Sequence, residues 1–238
     1  MEWIRSRLRG MWLVLHSPCE ALACDLRGPS YLVPFVILSL FYTLIAVIQA
    51  PIQLEWLQVQ AAASGTEAAR TAAGLEMARR SVRLSLILVP ILLMLRWLVH
   101  AFLFWLTAQV FLVGLSFSKT LTVVAYSYIP ILFRDATTCL ILCLRDREML
   151  MHSEGLHVAL GLNIVFPQLP LPWWALAGNV NFFEFWFIGL LVAGFSALGR
   201  VRWQKSLAVV LPVWLFVTFV QVGFVALGQQ LRNQMARG

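Results

Sequence analysis

Lysine occurs only twice in this chain, at 119 and 205, and acidic residues number 11 in 238. Charged residues make up 12% of the total, about half the share of an ordinary soluble domain. That scarcity excludes a water-soluble globular fold of this length, whose surface needs far more charge. Cysteine is scarce as well. Cys19, Cys24, Cys139 and Cys143 form no disulfide framework. Cys139 and Cys143 lie one helical turn apart, and two soft ligands at that spacing suit a metal. No histidine or third cysteine accompanies them, so the plainer reading is a pair of buried, small apolar residues. His152, Glu154 and His157 cluster without the H-E-x-x-H spacing. The chain lacks a phosphate-binding glycine loop, a G-x-S-x-G elbow and a dinucleotide fingerprint, which argues against enzymes of the soluble type. The strict alternation of a membrane β-barrel is missing. Met11–His16 is too short for the apolar region of a signal peptide and leads into charged residues, so the first residues are expected to be retained.

What the chain has in abundance is apolar sequence: 61% of residues, with a mean hydropathy of +0.81. Five runs dominate it: Tyr31–Ala50, Leu84–Leu115, Phe117–Leu144, Phe182–Leu198 and Ser206–Leu227. A hydrocarbon core of about 30 Å takes roughly 20 apolar residues in helix. Inside lipid every backbone N–H and C=O must be satisfied within the chain, so the runs read as helices. The expected fold is all-α: a polytopic membrane protein with five transmembrane helices and an N-terminal amphipathic helix lying in the interface. Residues 1–30 form the interfacial segment, 31–231 the transmembrane domain and 232–238 a short tail.

Trp3, Ile4, Leu8, Met11, Trp12 and Leu15 recur at spacings of three and four, with Arg5 and Arg9 on the other side. Span one is expected to end at Pro51. Ala61–Arg80 is alanine-rich with scattered Glu and Arg, which favours a solvated helix running into span two. Ser116–Lys119 is a short connection, so spans two and three should form an antiparallel hairpin. Pro130 should kink span three. Pro167, Pro170 and Pro172 forbid a continuous helix before Trp173-Trp174, which read as interface anchors. Asn181 and Glu184 have the spacing of a capping box opening span four. Gly199–Lys205 is a basic turn joining spans four and five into a second hairpin.

The net charge of +7 is almost wholly arginine: 18 basic residues less two lysines leaves sixteen. No basic stretch interleaved with aromatics lies outside the spans, so nucleic acid is set aside as a partner. Arginines flanking spans meet lipid headgroups instead. Charge does not orient the chain. Arg5, Arg7, Arg9, Arg27, Lys119, Arg200, Arg202 and Lys205 fall on one side. Arg70, Arg79, Arg80, Arg83, Arg145, Arg147, Arg232 and Arg237 fall on the other.

The candidate functional residues are the polar groups inside the apolar runs. Arg134-Asp135 lies in span three just past Pro130, at a depth where each charge costs about 2.5–3.5 kcal/mol on insertion scales. Adjacent helical residues point about 100° apart, so the two are not expected to neutralise each other. Arg96 and His100 stand one turn apart in span two, suited to a proton relay or a lipid phosphate, or to a headgroup position with Arg96 snorkelling. Glu184 is either a buried carboxylate partner or half of the capping box. No cofactor and no metal is expected.

Asp25-Leu26-Arg27-Gly28-Pro29 before span one resembles the Asp-Leu-x-Gly-Pro element of the Yip1 domain family. Ser118-Lys119 through Ala125-Tyr126-Ser127-Tyr128-Ile129-Pro130 in span three resembles its Gly/Ala-Tyr-Ser...Pro element. Asn181–Trp186, then Gly189, Gly199 and Lys205-Ser206, is similar to bacterial members. The likeness runs over nearly the whole chain, with Arg27 where an aromatic is usual and Ala125 where glycine is usual. It implies partner contacts at Asp25, Gly28, Pro29, Tyr126 and Pro130, a bacterial inner membrane, a cytoplasmic N-terminus and a C-terminus on the opposite side. Its long cytosolic GTPase-binding region has no counterpart here. The expected function is non-enzymatic: a membrane-organising or accessory subunit in envelope transport or trafficking. Its candidate partners are membrane lipids, other membrane proteins such as an ABC-type exporter, and a second copy of the chain. The alternatives are a small transporter or lipid translocator with a polar site at the Pro130 kink, and, last, an intramembrane enzyme.

Overall fold

A computed structural model describes residues 31–63, 72–111, 113–151 and 156–235. The expected N-terminal amphipathic helix, Asp25, Gly28, Pro29, His152 and Glu154 lie outside them. Among the described residues all regular structure is helical. The long helices are α1 (Leu32–Ala63), α2 (Ala72–Val110), α3 (Phe117–Ser127), α4 (Ile129–Leu144), α7 (Phe182–Gly199) and α8 (Trp203–Met235); α5 (Arg147–Met151) and α6 (Leu171–Gly178) are short, and a 3-10 turn covers Leu162–Ile164. Five segments are long and apolar enough to cross a membrane: Leu32–Val59, Leu86–Val110, Phe117–Leu144, Phe182–Gly199 and Trp203–Leu231. The chain is therefore an all-α protein with five candidate membrane spans.

Several boundaries differ from the sequence expectation, three of them for a clear local reason. Span one does not stop at Pro51: α1 continues to Ala63. Proline removes one N–H, whose acceptor would be the Val47 carbonyl, whereas unwinding in an apolar setting would orphan several groups. Span two ends at Val110 rather than Leu115. There the Val113 amide reaches back to the Ala108 carbonyl at 2.8 Å, and the Gln109 side chain donates to the Leu115 carbonyl at 3.1 Å, so the unwound turn stays bonded. Span three is two helices: the chain leaves α3 at Tyr128, and Pro130 becomes the second residue of α4. In the first turn of a helix the missing proline N–H has no intrahelical partner to lose.

Contacts divide the chain into two compact units. The first is Met1–Pro34, Trp97–Ile131 and Ala159–Gly238. Its core is α3, buried without interruption from Thr120 through the break to Ile131. α3 packs on α7, α7 on α8, and α6 on both α8 and the 3-10 turn. Phe104 of α2 meets Phe195 of α7 with ring centroids 6.0 Å apart. Gly199 at the end of α7 is pressed against Val113, so closely that an added Cβ would lie 2.6 Å from Val113 Cγ1.

That turn holds the one non-glycine residue with positive φ among those described, Arg200 at φ 50°. It closes α7 in the left-handed conformation where glycine is the usual residue, with its amide bonded to the Ser196 carbonyl. The left-handed state costs a side-chain-bearing residue roughly 1–2 kcal/mol. Arg200→Gly is therefore expected to raise the melting temperature in neutral detergent by about 2–4 °C, the shift that ~1 kcal/mol produces in a chain of this length. A scanning calorimetry or dye-based melt checks it.

The second unit is Phe35–Arg96 and Leu132–Val158. At its solvated edge Glu76 accepts from Arg80 at 3.4 Å and from Arg83 at 3.2 Å on the N-terminal extension of α2. Arg145 donates to the His157 carbonyl at 3.2 Å.

Candidate functional site

The first unit gathers its polar groups into a seam that begins where α7 begins. Asn181 is the N-cap, and its Oδ1 accepts from the Glu184 amide at 2.9 Å. Its Nδ2 donates to the Gly178 carbonyl at 2.7 Å, fastening the end of α6 to the start of α7. The 3-10 turn closes the same knot: Leu162 N–H donates to the Val180 carbonyl at 3.0 Å, and Asn163 Oδ1 accepts from the Gly161 amide at 3.0 Å. Asn163, Asn181 and Glu184 are all buried. Buried polar groups persist when bonded, and these three each hold a bond within the knot.

Glu184 then turns outward from its own helix. Its Oε2 accepts from Trp214 Nε1 of α8 at 3.3 Å. The capping position and the buried carboxylate, alternatives in the sequence, are thus both present in one residue.

One turn further along α7, Phe187 meets Tyr128 edge-on, with centroids 5.5 Å apart. Tyr128 sits in the break between α3 and α4, with 1% of its surface exposed. Its hydroxyl lies 3.3 Å from His100 Nδ1. The His100 ring stands edge-on to it at 5.8 Å, and Trp97 tilts against it at 5.7 Å. Two sets of contacts, His100–Tyr128–Phe187 and Glu184–Trp214, thus meet α7 within one turn of each other and join it to α2, the α3–α4 break and α8. The phenol and imidazole can each donate or accept in their shared bond, so a proton can lie on either group. Tyr126 and Pro130, the other candidates here, are buried on either side of Tyr128.

The second unit holds the remaining candidates, Arg96, Arg134 and Asp135. The expectation that Arg134 and Asp135 do not neutralise each other is overturned. Arg134 Nε and Nη2 both lie 2.9 Å from Asp135 Oδ1. The long guanidinium arm bends around the helix and meets the short carboxylate, so the angle between neighbouring Cα–Cβ bonds does not separate the charged ends. Arg96 is half-buried on α2. Cys139 is buried and Cys143 exposed on α4. Among the described residues no three His, Cys, Asp or Glu side chains converge on a metal position.

Sequence reasoning passed over Trp97, Trp214, Phe187 and Asn163 as site residues. Tyr128 was visible only as part of the Tyr-Ser-Tyr-x-Pro element. Nothing local marks Trp214, because its partner lies thirty residues away on another helix. Asn181→Ala is expected to cost about 0.5–2 kcal/mol through the lost cap, with Asn181→Ser retaining most of the stability. Denaturant titration of the purified protein in micelles measures both.

No family model, curated protein or solved structure matches the chain.

Proposed function

We propose that this chain is a non-enzymatic inner-membrane protein, an organising or accessory subunit that binds membrane partners or lipids in envelope transport or trafficking. The observation that carries this reading is how its deep polar groups are used. Within the spans, His100 bonds to Tyr128, Glu184 to Trp214 and Arg134 to Asp135. Each bond acts as a fastener between or along helices, as polar side chains commonly do in membrane bundles. Apolar side chains such as Val36, Leu40, Leu44 and Val47 cover the outside of α1 and leave it a surface for lipid or a partner helix. The resemblance of Ala125–Pro130 and of the residues before span one to elements of the Yip1 domain family supports a cytoplasmic N-terminus, and an odd number of crossings is consistent with a C-terminus on the opposite side.

In-cell crosslinking followed by purification in mild detergent and mass spectrometry tests this reading. A reproducible membrane-protein or retained-lipid partner is expected. A solitary protein that turns over a soluble substrate sinks it.

The interruption of span three at Tyr128 favours a second reading, a small translocator, because discontinuous helices are how many transporters build their sites. It predicts that Asp135→Asn abolishes a flux while expression is kept; wild-type flux from that variant refutes it.

A further inference from the structure

One end of the first unit has a charge pattern that the fastening seam does not explain. The turn after α2, the start of α3, the turn after α7 and the start of α8 all lie there, since Gly199 is packed against Val113 and Leu115. Lys119, Arg200, Arg202 and Lys205 belong to these turns, and all four are exposed. Trp203 stands among them with 59% of its surface exposed. The unit's single acidic side chain among the described residues is Glu184, fifteen residues back along α7 and so about 22 Å away at 1.5 Å per residue.

Three further facts point to an anion. First, two helices begin here, α3 at Phe117 and α8 at Trp203. Both present the unbonded amides and positive dipole of a helix start. Second, the α3 N-cap, Ser116, makes no side-chain capping bond and is exposed. Third, Arg200 occupies the left-handed position where glycine would be relaxed. Strain retained at a surface turn is a mark of a side chain with a task.

The location selects the anion. Spans Phe117–Leu144, Phe182–Gly199 and Trp203–Leu231 all start or finish at these residues, so the cations lie at the hydrocarbon boundary. Headgroup phosphates occupy that layer, and an exposed tryptophan is the side chain that anchors there. We propose that Lys119, Arg200, Arg202 and Lys205, with Trp203 and the starts of α3 and α8, form a binding surface for acidic phospholipid headgroups. This deepens the reading above by naming one partner. Its experiment is separate from partner capture, because failure to capture a protein leaves lipid preference measurable.

The full chain, purified in maltoside, is titrated with phosphatidylglycerol and with phosphatidylcholine of the same acyl chains. Thermal melts and native mass spectrometry follow binding. The wild type is expected to bind and be stabilised by phosphatidylglycerol in preference to phosphatidylcholine. Each neutralised cation, in Lys119→Gln or Arg202→Gln, should weaken phosphatidylglycerol binding about fivefold. Arg200→Gly should separate two effects: a higher melting temperature without lipid and a smaller shift with phosphatidylglycerol. Arg200→Lys should keep the shift, and Arg83→Gln, in the other unit, should leave it unchanged. Equal response to the two lipids, or full phosphatidylglycerol preference in Lys119→Gln and Arg202→Gln, overturns the proposal. A shift reproduced by millimolar inorganic phosphate also overturns it, because the site would then serve a free anion.

Discussion

Tyr128→Ala is expected to destabilise the protein by about 3–5 kcal/mol, the range for removing a large buried aromatic. Tyr128 is 1% exposed and touches Trp97, His100 and Phe187, with centroids between 5.5 and 5.8 Å. It occupies the break in span three, so α2, α3 and α7 all converge on one ring. In a bilayer the helices gain little from excluding water, and packing and interhelical hydrogen bonds hold them together. A cavity at this ring removes both. Tyr128→Phe separates them: it keeps the ring, deletes the bond to His100, and should cost about 0.5–1.5 kcal/mol. Reversible unfolding in mixed micelles, followed by tryptophan fluorescence, measures the two variants side by side. Equal losses for Tyr128→Ala and Tyr128→Phe would show that ring packing contributes nothing, and the seam would not be the core described here.

Gly161→Ala is the second large effect, about 3 kcal/mol. A Cβ at this position would lie 2.7 Å from the Val180 carbonyl oxygen, 2.8 Å from that of Gly178 and 3.1 Å from that of Ala177. All three atoms are backbone and cannot rotate aside. Relief requires the 3-10 turn to withdraw, which breaks the Leu162–Val180 bond and moves Asn163 from its place. Overpacking of a tight site costs typically 1–3 kcal/mol, and rigid neighbours put this case at the top. Gly189→Ala is the control, since nothing lies within 4 Å of a Cβ there. Within a helix that change should be neutral or stabilising by up to about 1 kcal/mol. Melting temperatures of the two variants in one detergent decide the matter; a Gly161→Ala protein as stable as Gly189→Ala would mean the knot does not hold the start of α7.

Much of the local structure was legible from composition and spacing. The Asn181 cap could be read directly, because capping is a contact over three residues. A disturbance of span three at Pro130 was legible for the same reason, but its form, a break at Tyr128 that makes two helices, was not. The proline at 51 misled, because its cost in lipid is one bond against the several that unwinding would orphan. The Arg134–Asp135 pair misled because the spacing rule describes Cβ directions and a guanidinium reaches well beyond its Cβ.

Five apolar runs and scarce charge were enough to set the class, because helices in a membrane are the form that satisfies every backbone group. Which polar residues act together emerges from how the helices pack. His100 with Tyr128, Glu184 with Trp214, and Asn163 with Gly161 against Gly178 and Val180 are set by helix packing and chain return. Those meetings depend on distances across the bundle, and hydropathy, being a property of one residue and its neighbours in the chain, carries no record of them.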